Sequence, residues 1–339
     1  MGPLRIKQGY DKNDVRGFMK ILHSLTEQDN FQPFDFTLTT FWGEAAAKSR
    51  FASERRYVLL KNEDPIGLFQ GLAQKRAFYK SMRAGSTSGN GIIMLPSFSN
   101  DDLSFFIAQI LKQERFSDLA IFAPSSLQVS HFAARFNYSL CINLALDVDG
   151  IFRDMDKKTR NRVHRAEKDG VQVEFSDSSK AFMDAYKVIS LASEDDAYSI
   201  PPLSYNMQLH ECFKQEGYSV FALSHRKDSE KVVSAAHLIG FDKKLVLWQA
   251  GSTEEGYRLN AGSLVQAEII KWAKAHGNLI YDMGGTNPRE GVYSGIHWFK
   301  SGFGGSLVTN KLLLKRAFYV PTAANIYRAL LKLGVKIRI

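Results

Sequence analysis

The stretch richest in usable chemistry is LIYDMGGTNPREGVYSGIHWFKSGFGG, residues 279 to 305. It opens as a strand that carries Asp282 out at its end. Gly284 and Gly285 then allow a tight turn or the close approach of a ligand to the backbone. A loop with Asn287, Pro288, Arg289 and Glu290 follows. Tyr293, Trp298 and Phe299 come next, with Lys300 directly behind them. Seven glycines and five aromatics in 27 residues exceed what plain packing asks for. A lysine among aromatics has two readings. One is a fixed positive charge facing a phosphate or a developing oxyanion. The other is a surface lysine whose stem lies along a core aromatic cluster. On the residues alone both stay open.

Other chemistries lack their residues. There is no GxSxG nucleophile elbow, and Ser97, Ser125 and Ser126 sit in loop-like sequence without a placeable partner. The eight histidines are scattered. Cys141 and Cys212 read as unpaired thiols. No CxxC, HExxH or clustered His/Cys spacing offers a metal ligand set, so no metal is expected. Neither GxGxxG nor GxxxxGK[ST] occurs, which disfavours nicotinamide chemistry and P-loop ATP hydrolysis.

The formal charge of +9 is concentrated in two places. From Lys311 onward there are seven Lys/Arg and no Asp/Glu, and a second basic run spans Arg153 to Gly170. Such patches suit phosphates, nucleotides, RNA or anionic lipid, or simply keep the surface solvated. No run approaches the length of a spanning helix, and MGPLRIKQGYDKND has no apolar secretory core. The expected location is cytoplasmic.

Stepping along the chain, one layout occurs twice. The first copy reads RRYVLL, a polar turn, IGLFQGL, a Gly-rich passage to IIML, the helix DLSFFIAQILKQ and the strand LAIFA. In that helix Leu103, Phe106, Ile107, Ile110 and Leu111 share a face. The second copy reads YSVFALSH, a turn, VVSAAHLIG, a turn, LVLWQAG, the helix AGSLVQAEIIKWAKAHG and LIYDMGG. There Val265, Ile269, Trp272 and Ala273 face one way, Lys271 and Lys274 the other, and Gly277 supplies the stop. Hairpins followed by a helix and a further strand imply α/β (α+β) lobes, each a mixed twisted sheet flanked by helices. The boundary is expected near 148: residues 1–148 form the first lobe, completed by the tail 311–339, and 149–310 the second. In the tail, Pro321 can open a helix with Ile326, Leu330 and Leu333 as its apolar stripe. The helix packs back on a lobe, or lies on a membrane with Arg328, Lys332, Lys336 and Arg338 toward anionic headgroups.

Three segments in this order resemble the FemAB (FemABX) family of peptidyl transferases, which are built from two GCN5-type acyltransferase (GNAT-like) lobes. They are KTRNRVHRAEKDGVQVEF, LVQAEIIKWAKAHGNLIYDMGG and WFKSGFGG, between Lys157 and Gly305. The first lobe matches by layout, plus Phe41–Trp42 entering a helix. The resemblance implies transfer of an amino acid from aminoacyl-tRNA to a primary amine of a peptidoglycan precursor, by direct attack on the ester and without metal or other cofactor. It places Lys300 near the acceptor end of the tRNA. Asp282 would orient the amine or accept its proton, or else hold the GG turn. Tyr257 and Trp248 would wall the substrate channel, with Asn260, Arg289, Tyr293 and Phe299 as further contacts. Lys158, Arg162 and Arg165, with Lys157 and Arg160, are the phosphate candidates.

Two departures narrow the acceptor. Where some members grip the diphosphate of a nucleotide-linked muropeptide with a Lys and an Arg, the nearest matches here are Glu44 and Pro201, so lipid-linked or other acceptors stay open. Lys48, one helical turn on, offers a substitute charge. No long charged heptad run lies between Phe182 and Gly217, so no coiled-coil arm is expected. Two alternatives stand beside this reading: an acyl-CoA-dependent N-acyltransferase, for which YRLNAGS with Gly262 is a poor pyrophosphate turn, and aminoacyl transfer to a small metabolite.

Overall fold

The computed structural model describes residues 3–25, 33–50, 52–75, 79–129, 131–195, 200–288 and 292–316. The expected tail helix from Pro321 and the loop residue Arg289 lie outside them, as does the side chain of Tyr293. In chain order come β1 (Leu4–Gln8), α1 (Lys12–Ser24), α2 (Thr40–Arg50), β2 (Ser53–Lys61), β3 (Asp64–Lys75), β4 (Lys80–Ser86) and β5 (Gly89–Asn90). Then follow β6 (Ile92–Met94), α3 (Asn100–Glu114), β7 (Asp118–Pro124) and β8 (Ala133–Asn143). After them lie α4 (Val148–Asp154), α5 (Lys157–Lys168), β9 (Val171–Ser176), α6 (Ser179–Asp195) and α7 (Leu203–Lys214). The chain continues through β10 (Ser219–Arg226), β11 (Ser234–Phe241), β12 (Lys244–Ser252), α8 (Glu254–Arg258) and α9 (Ala261–Ala275). It closes with β13 (Ile280–Thr286), α10 (Val292–Ser301) and β14 (Ser306–Arg316).

Two compact units result. One reaches Asn137 and resumes at Thr309; the other is Tyr138–Val308. The division falls earlier than the expected 148, because the second half of β8 pairs with β13 and so belongs to the second unit. Each unit repeats one ladder. In the first, β2–β3 and β3–β4 are antiparallel and β4–β7 is parallel. In the second, β10–β11 and β11–β12 are antiparallel and β12–β13 is parallel. A parallel pair needs a crossover, and α3 and α9 supply it. Beside each parallel strand one antiparallel strand completes the sheet: Asn310–Arg316 beside β7, and Tyr138–Asn143 beside β13.

The third strand of the first copy corrects the sequence reading. It is β4, KSMRAGS, whereas IIML forms the short β6 against β3. KSMRAGS lacks the β-branched, alternating pattern of a strand. Its pairing on both sides, with β3 and β7, imposes the conformation.

The helices follow their apolar spacing. Ser99 and Asp102 form a reciprocal cap at the start of α3, which buries Leu103, Phe106, Ile107 and Ile110. On α9, Val265, Ile269 and Ala273 are buried, and Gly277 takes φ +75° beyond the helix. Trp272 is only partly buried, stacked on Phe175 at 5.2 Å and His276 at 3.9 Å. The first core gathers around Tyr57, Phe69 and Phe106, the second around Leu140, Tyr281 and Phe303. Between Phe182 and Gly217 the described residues hold only α6 and α7, of 17 and 12 residues, and no coiled-coil arm. Among the described residues no helix is long and apolar enough to cross a membrane.

Inside the second unit the Ser219 hydroxyl lies 2.9 Å from both His210 Nδ1 and His237 Nε2. His237 also stacks on Phe221 at 4.5 Å. One hydroxyl donates to only one ring, so the other ring donates to it, which fits two neutral imidazoles. Burial pushes His237 down to about 3, with His210 adding to the effect; burial also lowers His210, against the pull of Glu211. A lowered folded pKa means the unfolded state binds the proton first. The stabilisation is therefore complete above the unfolded histidine value of about 6.5 and is lost as pH falls below it. The melting temperature should drop between pH 6.5 and 4. In His237→Gln the slope should flatten by up to about 1.4 kcal/mol per pH unit, as measured by thermal unfolding across that range.

Candidate active site

The sheet of the second unit opens where β12 and β13 part. Their parallel register runs Lys244↔Ile280, Leu245↔Tyr281 and Val246↔Asp282. At that level both strands are irregular. Against β11 the register shifts between His237 and Leu238, leaving Trp248 as the extra residue of β12. Against β8 it shifts between Asp282 and Gly285. Bulges bend and twist a strand locally, and these two turn the neighbouring chains away from the shared ladder.

Asp282 sits at the point of parting. Its side chain is 3% exposed, with Lys244 Nζ 3.2 Å from Oδ2. Oδ1 accepts the Gly284 N–H at 2.8 Å. Both carboxylate oxygens are therefore engaged. Of the roles open from the sequence, this geometry supports the one that holds the turn. Gly284 has φ +78°, and a Cβ on it would lie 3.1 Å from Leu247 O and 3.8 Å from Lys300 Nζ.

Lys300 reaches this turn from α10 and donates to Gly285 O at 2.7 Å. By surface area the residue is only half-buried. Its ammonium, however, ends against dense backbone. Burial pushes it down to about 8, while Asp282 pulls the other way. Thr286 Oγ1 and His297 Nδ1, 3.1 Å apart, tie the end of β13 to the same helix.

The aromatics of α10 divide between two faces. Phe299 packs edge-on against Phe303 at 5.3 Å and belongs to the core side, so its expected substrate contact gives way to a packing role. Trp298, one residue away and about 100° round the helix, is 51% exposed. The Arg162 guanidinium lies over it, 4.5 Å from the ring centroid. Trp298 is the site residue missing from the sequence-based set. No local signal singled it out: Trp298 and Phe299 are adjacent aromatics of α10, and the packing of Phe299 on Phe303, beyond the helix end, decides which of them faces the core.

Arg162 belongs to α5, which is docked onto the end of α10. The Asp156 N–H donates to Gly302 O at 2.9 Å, and a Cβ on Gly302 would meet Asp156 Oδ2 at 2.9 Å and collide with Thr159 Oγ1. Two of the segments singled out in the sequence thus form one surface. Lys158 and Arg165 are exposed on α5. Arg160 folds back, donating to Arg153 O at 3.0 Å and to Met155 O.

The remaining expected residues are more dispersed. Trp248 is half-buried, with its Nε1–H donating to Asn206 Oδ1 at 3.1 Å and Tyr205 6.2 Å away. Tyr257, on α8, is 59% exposed. Asn260 is left-handed, φ 53°, at the start of α9, and its side chain caps nothing there. Glu44 is exposed on α2, and the Pro201 carbonyl accepts from Asn206 Nδ2 at 2.8 Å. Among the described residues no group of three His, Cys, Asp or Glu is placed to hold a metal ion.

Residues 153–293 match a family model described as an acetyltransferase (GNAT) domain. Over 146 residues the chain is 25% identical to a UDP-N-acetylmuramoylpentapeptide-lysine N(6)-alanyltransferase of Weissella viridescens. That match spans 43% of this chain and 42% of the relative's length. By fold, the crystal structure of FemX aligns with a TM-score of 0.72 at 15% identity, over 95% of this chain and 100% of that one. A tandem GNAT protein from the clavulanic acid biosynthesis pathway aligns with a TM-score of 0.54 at 8% identity, over 92% and 98%. The resemblance to FemAB-type transferases and the tandem GNAT-like architecture drawn from the sequence are both borne out.

The turn at Gly284 generates a stability test. Gly284→Ala places a side chain at a left-handed residue and against Leu247 O. It should cost about 1–2 kcal/mol, read as a lower urea midpoint with an unchanged slope.

Proposed function

We propose that the protein is an aminoacyltransferase that moves an amino acid from aminoacyl-tRNA to a primary amine of a cell-wall precursor. The observation that carries this is the Lys300 ammonium, held by Gly285 O where β12 and β13 part and flanked by the exposed Trp298–Arg162 pair. A half-buried cation there suits a charge that develops during reaction. The exposed Lys158 and Arg165 on α5 suit the phosphates of a polyanionic donor. The alanyltransferase relative acts, by its name, on the lysine of a UDP-N-acetylmuramoylpentapeptide, and supports an amine acceptor of muropeptide type.

The reaction needs little beyond positioning. A neutral amine attacks the ester carbonyl carbon, a C–N bond forms, and the carbonyl oxygen takes the negative charge. Collapse breaks the C–O bond to the ribose; the amine releases one proton and the departing ribose oxygen gains one. Lys300 stabilises the oxyanion electrostatically, and no covalent enzyme intermediate is required. Asp282, with both oxygens engaged, stays a structural anion. Glu44 and Pro201 offer no cation for a nucleotide diphosphate, which favours an acceptor recognised by other means.

An acyl-CoA donor is the second reading, since the matching domain is of acetyltransferase type. A pyrophosphate would have to reach the first amides of α9. That turn is poorly suited: Ala261 is fully buried and Ser263 nearly so, and Asn260 stands where a glycine-rich approach would be needed. This observation favours the tRNA donor.

The test is transfer of label from charged tRNA to muropeptide or lipid-linked acceptors. Lys300→Ala should lower kcat by about a hundredfold with little change in unfolding midpoint; unchanged turnover removes the role. The cation predominates below pH 8 and is lost above it. The ratio of wild-type to Lys300→Ala turnover should therefore shrink as pH rises from 7 to 9. Arg162→Ala should weaken RNA binding and lower the slope of log affinity against log salt by about one, which filter binding at several salt concentrations would measure.

A further inference from the structure

Lys244 has no part in the reaction as described, yet it is an ammonium only 15% exposed, buried beside the Asp282 carboxylate. It starts β12, two residues before the last ladder pair with β13, and points along the strand to Asp282. Asp282 in turn shapes the turn that seats Lys300. Two lysines therefore flank one carboxylate, one paired with it directly and the other held by the turn it organises. Electroneutrality allows Asp282 to cancel one of them only.

We propose that Lys244 is a positioning residue that neutralises Asp282, so that the charge of Lys300 stays uncompensated and available to the substrate. The proposal rests on the reading of Lys300 as the oxyanion-stabilising group. Without Lys244, the Asp282 charge acts on Lys300 undiminished, and the charge meant for the reaction is spent inside the protein. With Lys244 in place, the three groups sum to one net positive charge at the mouth of the parted strands. Among the described residues, other titratable groups around the segment have partners of their own, Tyr281 donating to Gln266 Oε1 at 2.6 Å. His297 is bound to Thr286, Arg162 lies over Trp298, and Asp156 caps α5.

A merely structural ion pair and a charge-sparing one differ in a double substitution. Asp282→Asn keeps an oxygen for the Gly284 N–H but removes the charge. In Lys244→Met alone, turnover should fall about tenfold through kcat, and the pKa of Lys300 should rise by about one unit. In Lys244→Met/Asp282→Asn, turnover should recover most of that loss and the pKa should return close to the wild-type value. Asp282→Asn alone should move it below wild type, and Lys244→Arg should behave as wild type. The pKa is read on the full-length protein from the pH dependence of Lys300 labelling by a limiting amine-reactive reagent, followed by peptide mass spectrometry. That readout needs no substrate, so the charge relation is decided even if aminoacyl-tRNA proves the wrong donor. A Lys300 labelling pKa that does not move between Lys244→Met and wild type overturns the proposal. A double variant no more active than Lys244→Met overturns it as well. If Lys244→Met does not fold, Lys244→Gln, which removes the charge but keeps a hydrogen-bond donor for Asp282, is read in its place, with the same rise in the Lys300 pKa expected and no movement overturning the proposal.

Discussion

A carboxylate buried within a strand, at the last pair of a ladder, needs partners for both oxygens, and how Asp282 obtains them shapes the turn that follows. One oxygen faces Lys244 on the neighbouring strand and the other takes the Gly284 N–H. Desolvating two charges gains little stability overall, whereas losing one partner is severe. The pair is better understood as a constraint on geometry than as a source of stability. It forces the chain into a left-handed turn at Gly284 where the ladder to β12 ends, and it leaves Gly285 O as the acceptor for Lys300.

The backbone around that point is built for separation. β12 and β13 are parallel for three residue pairs, and each is bulged against its other neighbour just beyond them. α9 covers the opened sheet with Val265 and Ile269, and Phe303, in the turn after α10, joins the same core. A cation and an exposed indole are thereby held on regular elements rather than on loops, the arrangement a preorganised electrostatic site requires.

The same ladder, two antiparallel pairs and one parallel, occurs in the first unit, but without the same chemistry. Gly85 and Gly91 there permit backbone contacts that a Cβ would block. Gln70, fully buried, donates to the carbonyls of Thr37 and Thr39, tying down the chain that enters α2. Trp42 follows in the first turn of that helix, also buried. A shared fold therefore carries different charged groups in each unit, Glu114 with Arg55 and Lys80 in the first and Asp282 with Lys244 in the second, consistent with function residing in grafted residues rather than in the fold.

Much of this was legible in the chain itself. Apolar spacing gave α3 and α9, hairpin turns gave β2–β3 and β10–β11–β12, and the glycine-aromatic run marked the segment that carries the turn at Gly284 and Lys300, because period and turn chemistry are local properties. What needed the tertiary structure were relations between distant residues. KSMRAGS became a strand because β3 and β7 bracket it. Phe299 took a packing role and Trp298 the exposed side because only packing decides which face of α10 meets the core. Arg162 met Trp298 because Asp156 and Gly302 bring two helices together across more than a hundred residues of sequence. Lys244 was invisible as a member of the site, since a lysine at the start of a strand reads as solvent-facing until a parallel neighbour, joined through a crossover helix, delivers a carboxylate beside it. Sequence fixes the local periods and the residue types; register and crossover decide which charges end up sharing a site.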